Sequence, residues 1–354
     1  MFVAWRDLRF ARGRFALMAS VVVLITMLVG LLSGLTAGLA RDTTSAVIDL
    51  PADHLVFTAP PDGQQPSFTN SAIEPQLWRQ WAEVPGVRAA EPLGLTTGYA
   101  EVGTTTAAVT VFGVRPGSPL APLPDAVGPG TALVSTGAAD ALGVGTGDSV
   151  TIADQRLRVE TVAVDASYSH TPVIWTGLAT WQQLAHTDSA TVLALTTDAG
   201  ADLAAADTAL GTHTLTRSDA LSAIGSYSAE NGSLQLMRGL LFAISALVIG
   251  AFFTVWTIQR SGDIAVLKAL GATTGHLLRD ALGQALVLLI GGTAVGTGLA
   301  AALGALAAEA VPFVLDVGTI AIPATVLVVL GLLGAALAVR RITAVDPLTA
   351  LSAR

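Results

Sequence analysis

Four stretches of the chain carry no charged side chain and are almost wholly apolar: Phe15 to Ala40, Gly239 to Ile258, Ala281 to Ala308 and Val317 to Val339. A helix needs about 20 apolar residues to cross roughly 30 Å of hydrocarbon, and each run meets that requirement. The first is too long for the core of a signal peptide. No clear small-x-small cleavage site ends it before Arg41, so on its length it reads as a retained span. Between the first and second runs the pattern changes to short apolar segments broken by Gly and Pro. Residues 87–92, 107–114, 132–135 and 191–196 read as strands. Residues 149–152 and 157–162 read as a hairpin, and Ala138 to Leu142, Thr180 to His186 and Ala201 to Leu210 as short helices.

Charge sets the orientation. Arg6, Arg9, Arg12 and Arg14 precede the first run, Arg260, Lys268 and Arg279 lie between the second and third, and Arg340, Arg341 and Arg354 follow the fourth. Basic residues collect on the cytoplasmic side, which places both termini inside. The long acidic segment is then outside. The expected fold is four transmembrane α-helices plus one large α+β extracytoplasmic domain between helices 1 and 2. Its parts are 1–14, a cytoplasmic interfacial helix or simple positive flank; 15–40, the first span; 41–232, the outer domain; 233–258, the second span; 259–280, a cytoplasmic loop and helix; 281–308, the third span; 309–316, a short outer loop; 317–339, the fourth span; and 340–354, a cytoplasmic tail. The composition agrees: 12% of residues are charged, against roughly 25% in soluble domains.

Two features stand out in this frame. Gly30, Gly34 and Gly38 form a stripe of small residues four apart on the first span, which lets a second backbone approach closely. The partner is either span two of the same chain or a second copy. The other feature is the cytoplasmic stretch Gln259 to Thr274, which holds the chain's only lysine, Lys268. It reads as a short helix capped by Ser261, with Asp263 at its positive end, Ile264, Leu267 and Leu270 on one face, and Gly271 as its stop.

This stretch resembles the first cytoplasmic loop of the MacB/FtsX-like ABC permeases. That family's Arg, acidic residue, apolar pair, basic residue and aliphatic-Gly-Ala turn correspond to Arg260, Asp263, Ile264 to Leu267, Lys268 and Leu270-Gly271-Ala272, with Asp where Glu is commoner. Gly113-Val114-Arg115-Pro116, the run Leu142 to Asp148, and Asp346-Pro347-Leu348-Thr349-Ala350-Leu351 also resemble family patterns. The resemblance implies that Arg260, Asp263, Ile264, Leu267, Lys268 and Gly271 couple to an ATPase. It also implies a bacterial cytoplasmic-membrane homodimer paired with two copies of a separate ABC ATPase that holds ATP-Mg.

Catalytic residues and an intrinsic cofactor are not expected. A phosphate-binding loop needs a lysine after glycine, and Lys268 lies in Val-Leu-Lys-Ala instead. There is no cysteine, and His54, His170, His186, His213 and His276 lack metal-ligand spacing, so no metal site is expected. Membrane lipid is an expected partner and nucleic acid is not. The four-span layout is similar to heme-efflux permeases of Gram-positive bacteria, which implies heme as a substrate entering between spans one and two. Met27, Tyr227, Glu230, Met237 and Arg238 are the candidate substrate residues, since Met and Tyr ligate heme iron and Arg pairs with carboxylates. The competing expectations are mechanotransmission to an extracytoplasmic cell-wall hydrolase, and handling of antimicrobial peptides or lipoproteins.

Overall fold

The computed structural model describes residues 12–259, 262, 266, 271, 273–308 and 311–343. Four helices are long and apolar enough to cross a membrane: α1 (Arg12–Ile48), and, after the outer domain, α6 (Tyr227–Gln259), α7 (Thr274–Ala307) and α8 (Val317–Thr343). The chain divides into two units, residues 1–38 with 232–354, and residues 39–231.

The membrane unit is held by a seam of small residues. On α7, Gly292, Gly296, Ala300 and Gly304 recur every fourth residue. A Cβ on Gly292 would strike Val22, and one on Gly296 would meet the Val23 carbonyl at 2.6 Å and the Thr26 side chain at 2.7 Å. A Cβ on Gly30 would lie 2.8 Å from that of Ala300, and the Phe313 ring covers both Gly34 and Gly304. Gly38 lies against the Pro312 carbonyl. The stripe on the first span therefore meets α7, the third span, and the loop that follows it, rather than the second span, its expected partner within the chain. Lower down, Met18, Val22, Ile249, Phe253, Trp256, Leu288, Leu289 and Ala335 form a common core. Asp316 caps α8 by accepting from the Thr319 amide at 2.6 Å, while Thr319 accepts from the Asp316 amide at 3.0 Å.

The outer unit is built on ten strands: β1 (His54–Thr58), β2 (Val87–Val102), β3 (Thr105–Val114), β4 (Thr131–Val134), β5 (Ser149–Ile152), β6 (Gln155–Val162), β7 (Ser167–Tyr168), β8 (Thr171–Gly177), β9 (Val192–Thr197) and β10 (Thr212–Thr216). Its helices are α2 (Pro75–Ala82), α3 (Thr136–Leu142), α4 (Leu178–Ala185) and α5 (Leu203–Leu210). The strand order is β10-β1-β9-β2-β3-β8-β4-β6-β5, and β5 returns to pair β2 through Ala100–Ile152 and Glu101–Thr151. Six strands thus close into a small barrel, and β10, β1 and β9 extend from it as an antiparallel wing.

Successive strand residues point to opposite sides, and in β1 and β9 both faces are buried. Leu55, Phe57, Val192 and Ala194 enter one core with Phe68, Phe112, Tyr168 and residues Ala46, Val47 and Leu50 of α1. Val56, Leu193 and Leu195 enter another with Trp81 of α2 and Ala206 of α5. At the barrel, Gly94 and Gly113 pair across β2 and β3, and the indole of Trp181 fills the space where their side chains would stand.

The strands expected at 87–92 and 107–114 are here, but β2 runs on to Val102. Pro92 interrupts the sequence pattern without ending the strand. It lies just before Leu93, the first β2 residue paired with β3, so it has a paired neighbour on the β9 side only. The seam makes the stability of the membrane unit depend on position. Gly296→Leu should destabilise the protein by about 1–3 kcal/mol, the usual cost of overpacking, whereas Gly291→Leu, which meets open space, should leave the thermal unfolding midpoint unchanged.

Candidate functional site

β7 and β8 form a hairpin whose two-residue turn is Ser169-His170. Both turn residues are left-handed, with φ of 48° and 63°. Such turns favour Asn-Gly, and other L-residues pay a steric cost there. The cost is offset by what the turn grips. The Ser169 amide donates to the Thr43 carbonyl at 2.9 Å and the His170 amide to the Asp42 carbonyl at 3.3 Å. The imidazole Nδ1 lies 3.0 Å from Asp42 Oδ2, and Nε2 lies 3.0 Å from Glu230 Oε2 and 3.2 Å from Thr43 Oγ1. Beside it, Ser45 Oγ accepts from the Ser167 amide at 2.8 Å.

One histidine therefore bridges two carboxylates, one on α1 and one on α6. Partial burial works against its charged form. The hydrogen bonds and charges of Asp42 and Glu230 outweigh that and hold its pKa above the ordinary 6.5. Nothing local in the sequence announces this arrangement. His170 is 128 residues from Asp42 and 60 from Glu230.

The candidate substrate residues are placed as follows. Tyr227 is partly buried against the outer-domain core, and Glu230 is engaged by His170 and Thr43. Met237 is exposed, and the Arg238 guanidinium lies 5.9 Å from the centre of the Phe242 ring. Met27 is half-buried on α1, where its amide would lie 3.2 Å from a Cβ on Gly296. Of the coupling residues, Gly271 has φ of 93°, which only glycine adopts without strain. Arg260, Asp263, Ile264, Leu267 and Lys268 lie outside the described residues. Among the described residues no cluster of three His, Asp or Glu is placed to hold a metal ion.

Four helices long and apolar enough to cross a membrane, with one large α/β domain after the first, define a multi-pass membrane protein. Residues 15–212 match the MacB-like periplasmic core domain family, and residues 236–347 match the FtsX-like permease C-terminal family. The chain belongs to the MacB/FtsX-like ABC transporter permeases. It is 27% identical over 355 residues to an uncharacterized ABC transporter permease of Mycobacterium bovis, a match covering 98% of each protein. It is 35% identical over 141 residues to the "Putative hemin transport system permease protein HrtB" of Staphylococcus epidermidis. That match covers 40% of each protein, so the chain spans only two fifths of this relative's length. Among solved structures it is similar to the periplasmic region of MacB from Actinobacillus actinomycetemcomitans, with 11% identity over 48% of this chain and 90% of that one and a TM-score of 0.37. The extracellular domain of the transporter YknZ from Gram-positive bacteria gives 12% identity, 47% and 98% coverage, and a TM-score of 0.36.

The bridge makes stability pH-dependent. A histidine whose folded pKa is raised contributes fully below its unfolded value, near pH 6.5, and loses that contribution as pH rises through the raised folded value. His170→Gln should lower the thermal midpoint at pH 6 by roughly 1–3 °C, in keeping with a solvent-screened pair. The deficit should shrink by pH 9. A deficit equal at both values would mean that the imidazole charge contributes nothing.

Proposed function

We propose that this chain is the membrane subunit of an ATP-driven exporter that removes an amphiphile, heme by preference, from the outer leaflet. It works as a homodimer with two copies of a separate ATPase that binds ATP-Mg. Both termini are cytoplasmic, and Arg260, Asp263, Ile264, Leu267, Lys268 and Gly271 receive the ATPase. The observation that carries the heme reading is the local similarity to a hemin-transport permease. The start of α6 supports it. Met237 is exposed and offers a thioether, Arg238 offers a guanidinium, and Leu236 and Leu240 are exposed apolar neighbours. Heme is a flat apolar ring with two carboxylates at one edge, and this mixture suits both parts. Glu230 has its carboxylate on His170, so its part in this reading is to hold the helix rather than the cargo.

A specific observation also favours mechanotransmission. The Ser169-His170 turn hydrogen-bonds to α1 and α6 together, and those helices continue as the first two spans. A relative movement of the two would be felt at the hairpin.

Titration of the purified full chain with heme decides between them. Saturable growth of a heme absorption band is expected, and Met237→Ala should shift that band. Arg238→Ala should weaken binding about tenfold or more, as loss of a charged hydrogen bond does. No saturable change in wild type would rule out heme and leave mechanotransmission as the better reading. Orientation is tested on the naturally cysteine-free chain. A cysteine at Gln64 should label from outside the cell, and one at Gly275 only after the membrane is opened.

A further inference from the structure

His170 stands between carboxylates that belong to different helices. Its Nδ1 lies 3.0 Å from Asp42 Oδ2 on α1, and its Nε2 lies 3.0 Å from Glu230 Oε2 on α6. An ionised carboxylate only accepts hydrogen bonds. A neutral imidazole has one N–H and one lone pair, so it satisfies one of these carboxylates and turns a lone pair on the other. Only the imidazolium, with two N–H groups, donates to both at once. The ring therefore ties α6 to α1 only while it carries its second proton.

The surroundings decide which bond fails when that proton leaves. Thr43 Oγ1 lies 3.2 Å from Nε2, so its hydroxyl can turn from the Leu39 carbonyl, 3.0 Å away, and donate to the bare nitrogen. Among the described residues, the hydrogen-bond partner of Nδ1 is Asp42. The amides of Ser169 and His170 also donate to the Thr43 and Asp42 carbonyls, so backbone bonds pin the hairpin to α1 whatever the charge of the ring. Toward α6 the hairpin has a weaker second hold. Ser169 Oγ lies 3.4 Å from Ser226 Oγ, just before the helix, which is longer than the roughly 2.5–3.0 Å usual between hydroxyls. A neutral ring thus keeps Asp42 and releases Glu230.

The other ionisable neighbours do not take over this role. Arg41 is turned to Asp49, at 3.6 Å. Tyr168, the hairpin residue before the turn, is buried, which pushes its phenol up and keeps it neutral. The charges acting on the ring are those of Asp42 and Glu230. The imidazole side chain is 38% exposed, so its proton exchanges with the water around the outer domain.

We propose that Asp42, His170 and Glu230 form a proton-operated latch. Protonated, the β7–β8 turn clasps α1 and α6 together; deprotonated, it keeps α1 and lets the first turns of α6 go. In a heme exporter the latch would act close to the cargo, because Met237 and Arg238 follow Glu230 by about two turns of the same helix. That consequence rests on the exporter reading; the latch itself does not.

The test uses the naturally cysteine-free full chain with nitroxide labels on cysteines at Val164 and Ser228, both exposed. Pulsed electron-spin spectroscopy reads the distance between them, with no heme present. Wild type should give one narrow distribution at about pH 5.5, and lose it with a shift to longer distances at about pH 9. Glu230→Gln gives Nε2 a side-chain amide that accepts from the imidazolium and donates to the neutral ring. It should keep the narrow distribution at both pH values. His170→Asn suits the left-handed turn but is too short to reach both helices, and should lose the narrow distribution at both. An unchanged wild-type distribution between the two pH values would overturn the proposal. So would a Glu230→Gln chain that responds to pH as wild type does, because the change would then lie elsewhere. Should His170→Asn not fold, the contrast between wild type and Glu230→Gln decides alone.

Discussion

Close backbone approach is the constraint on which the membrane unit depends. In hydrocarbon an apolar side chain gains nothing by exchanging lipid for protein, so helices associate by dispersion, and dispersion needs contact. The seam of α1 and α7 supplies it by removing side chains from both partners. Val22 and Thr26 reach into the gaps left by Gly292 and Gly296, and Ala300 reaches into the gap at Gly30. Phe313 closes the top by lying over two glycines at once. The remaining helix surfaces are free to carry large aliphatic residues toward lipid, and they do: Leu24, Leu28, Leu247, Leu306 and Leu337 are all exposed.

The outer unit solves the opposite problem. Water drives apolar groups together there, so burial is available to any sheet whose two faces are covered. The wing is sandwiched between the α2–α5 layer and the aromatic cluster of Phe57, Phe68, Phe112 and Tyr168. The rings of that cluster meet edge to face, with centroids 5.0 to 6.2 Å apart. The same packing anchors Ala46, Val47 and Leu50, so the outer end of α1 is held by hydrophobic contact as well as by the histidine bridge. Polar and apolar fastening reinforce one another at that point.

The spans and the family were legible in the sequence because both are written locally: a span as a charge-free run, and the family as short ordered motifs. Strand β1 was not legible. Leu55-Val56-Phe57 is apolar at every position, because its two faces enter two different cores, so the alternation that betrays a strand is missing. Helix α2 was hidden behind Pro75, although proline is well suited to a helix's first turn. The stripe of Gly30, Gly34 and Gly38 announced a close contact but not its partner, since Ala300, Pro312 and Phe313 are more than 260 residues away. Glu230 was visible as a charged group at the foot of a span, and its engagement by His170 was not. Spacing along the chain carries no record of a pairing that only the fold creates.

The shared strand has a consequence for how the outer domain comes apart. Residues Val87 to Leu93 of β2 complete the wing against β9, and Leu93 to Val102 complete the barrel against β3 and β5. Neither half owns a full set of hydrogen bonds without that strand. Peeling β2 from the barrel strips β9 of its neighbour, and peeling it from the wing opens the barrel wall. The two halves are therefore a single cooperative unit of exchange, and backbone amides on β9 and β3 become exposed in the same opening event.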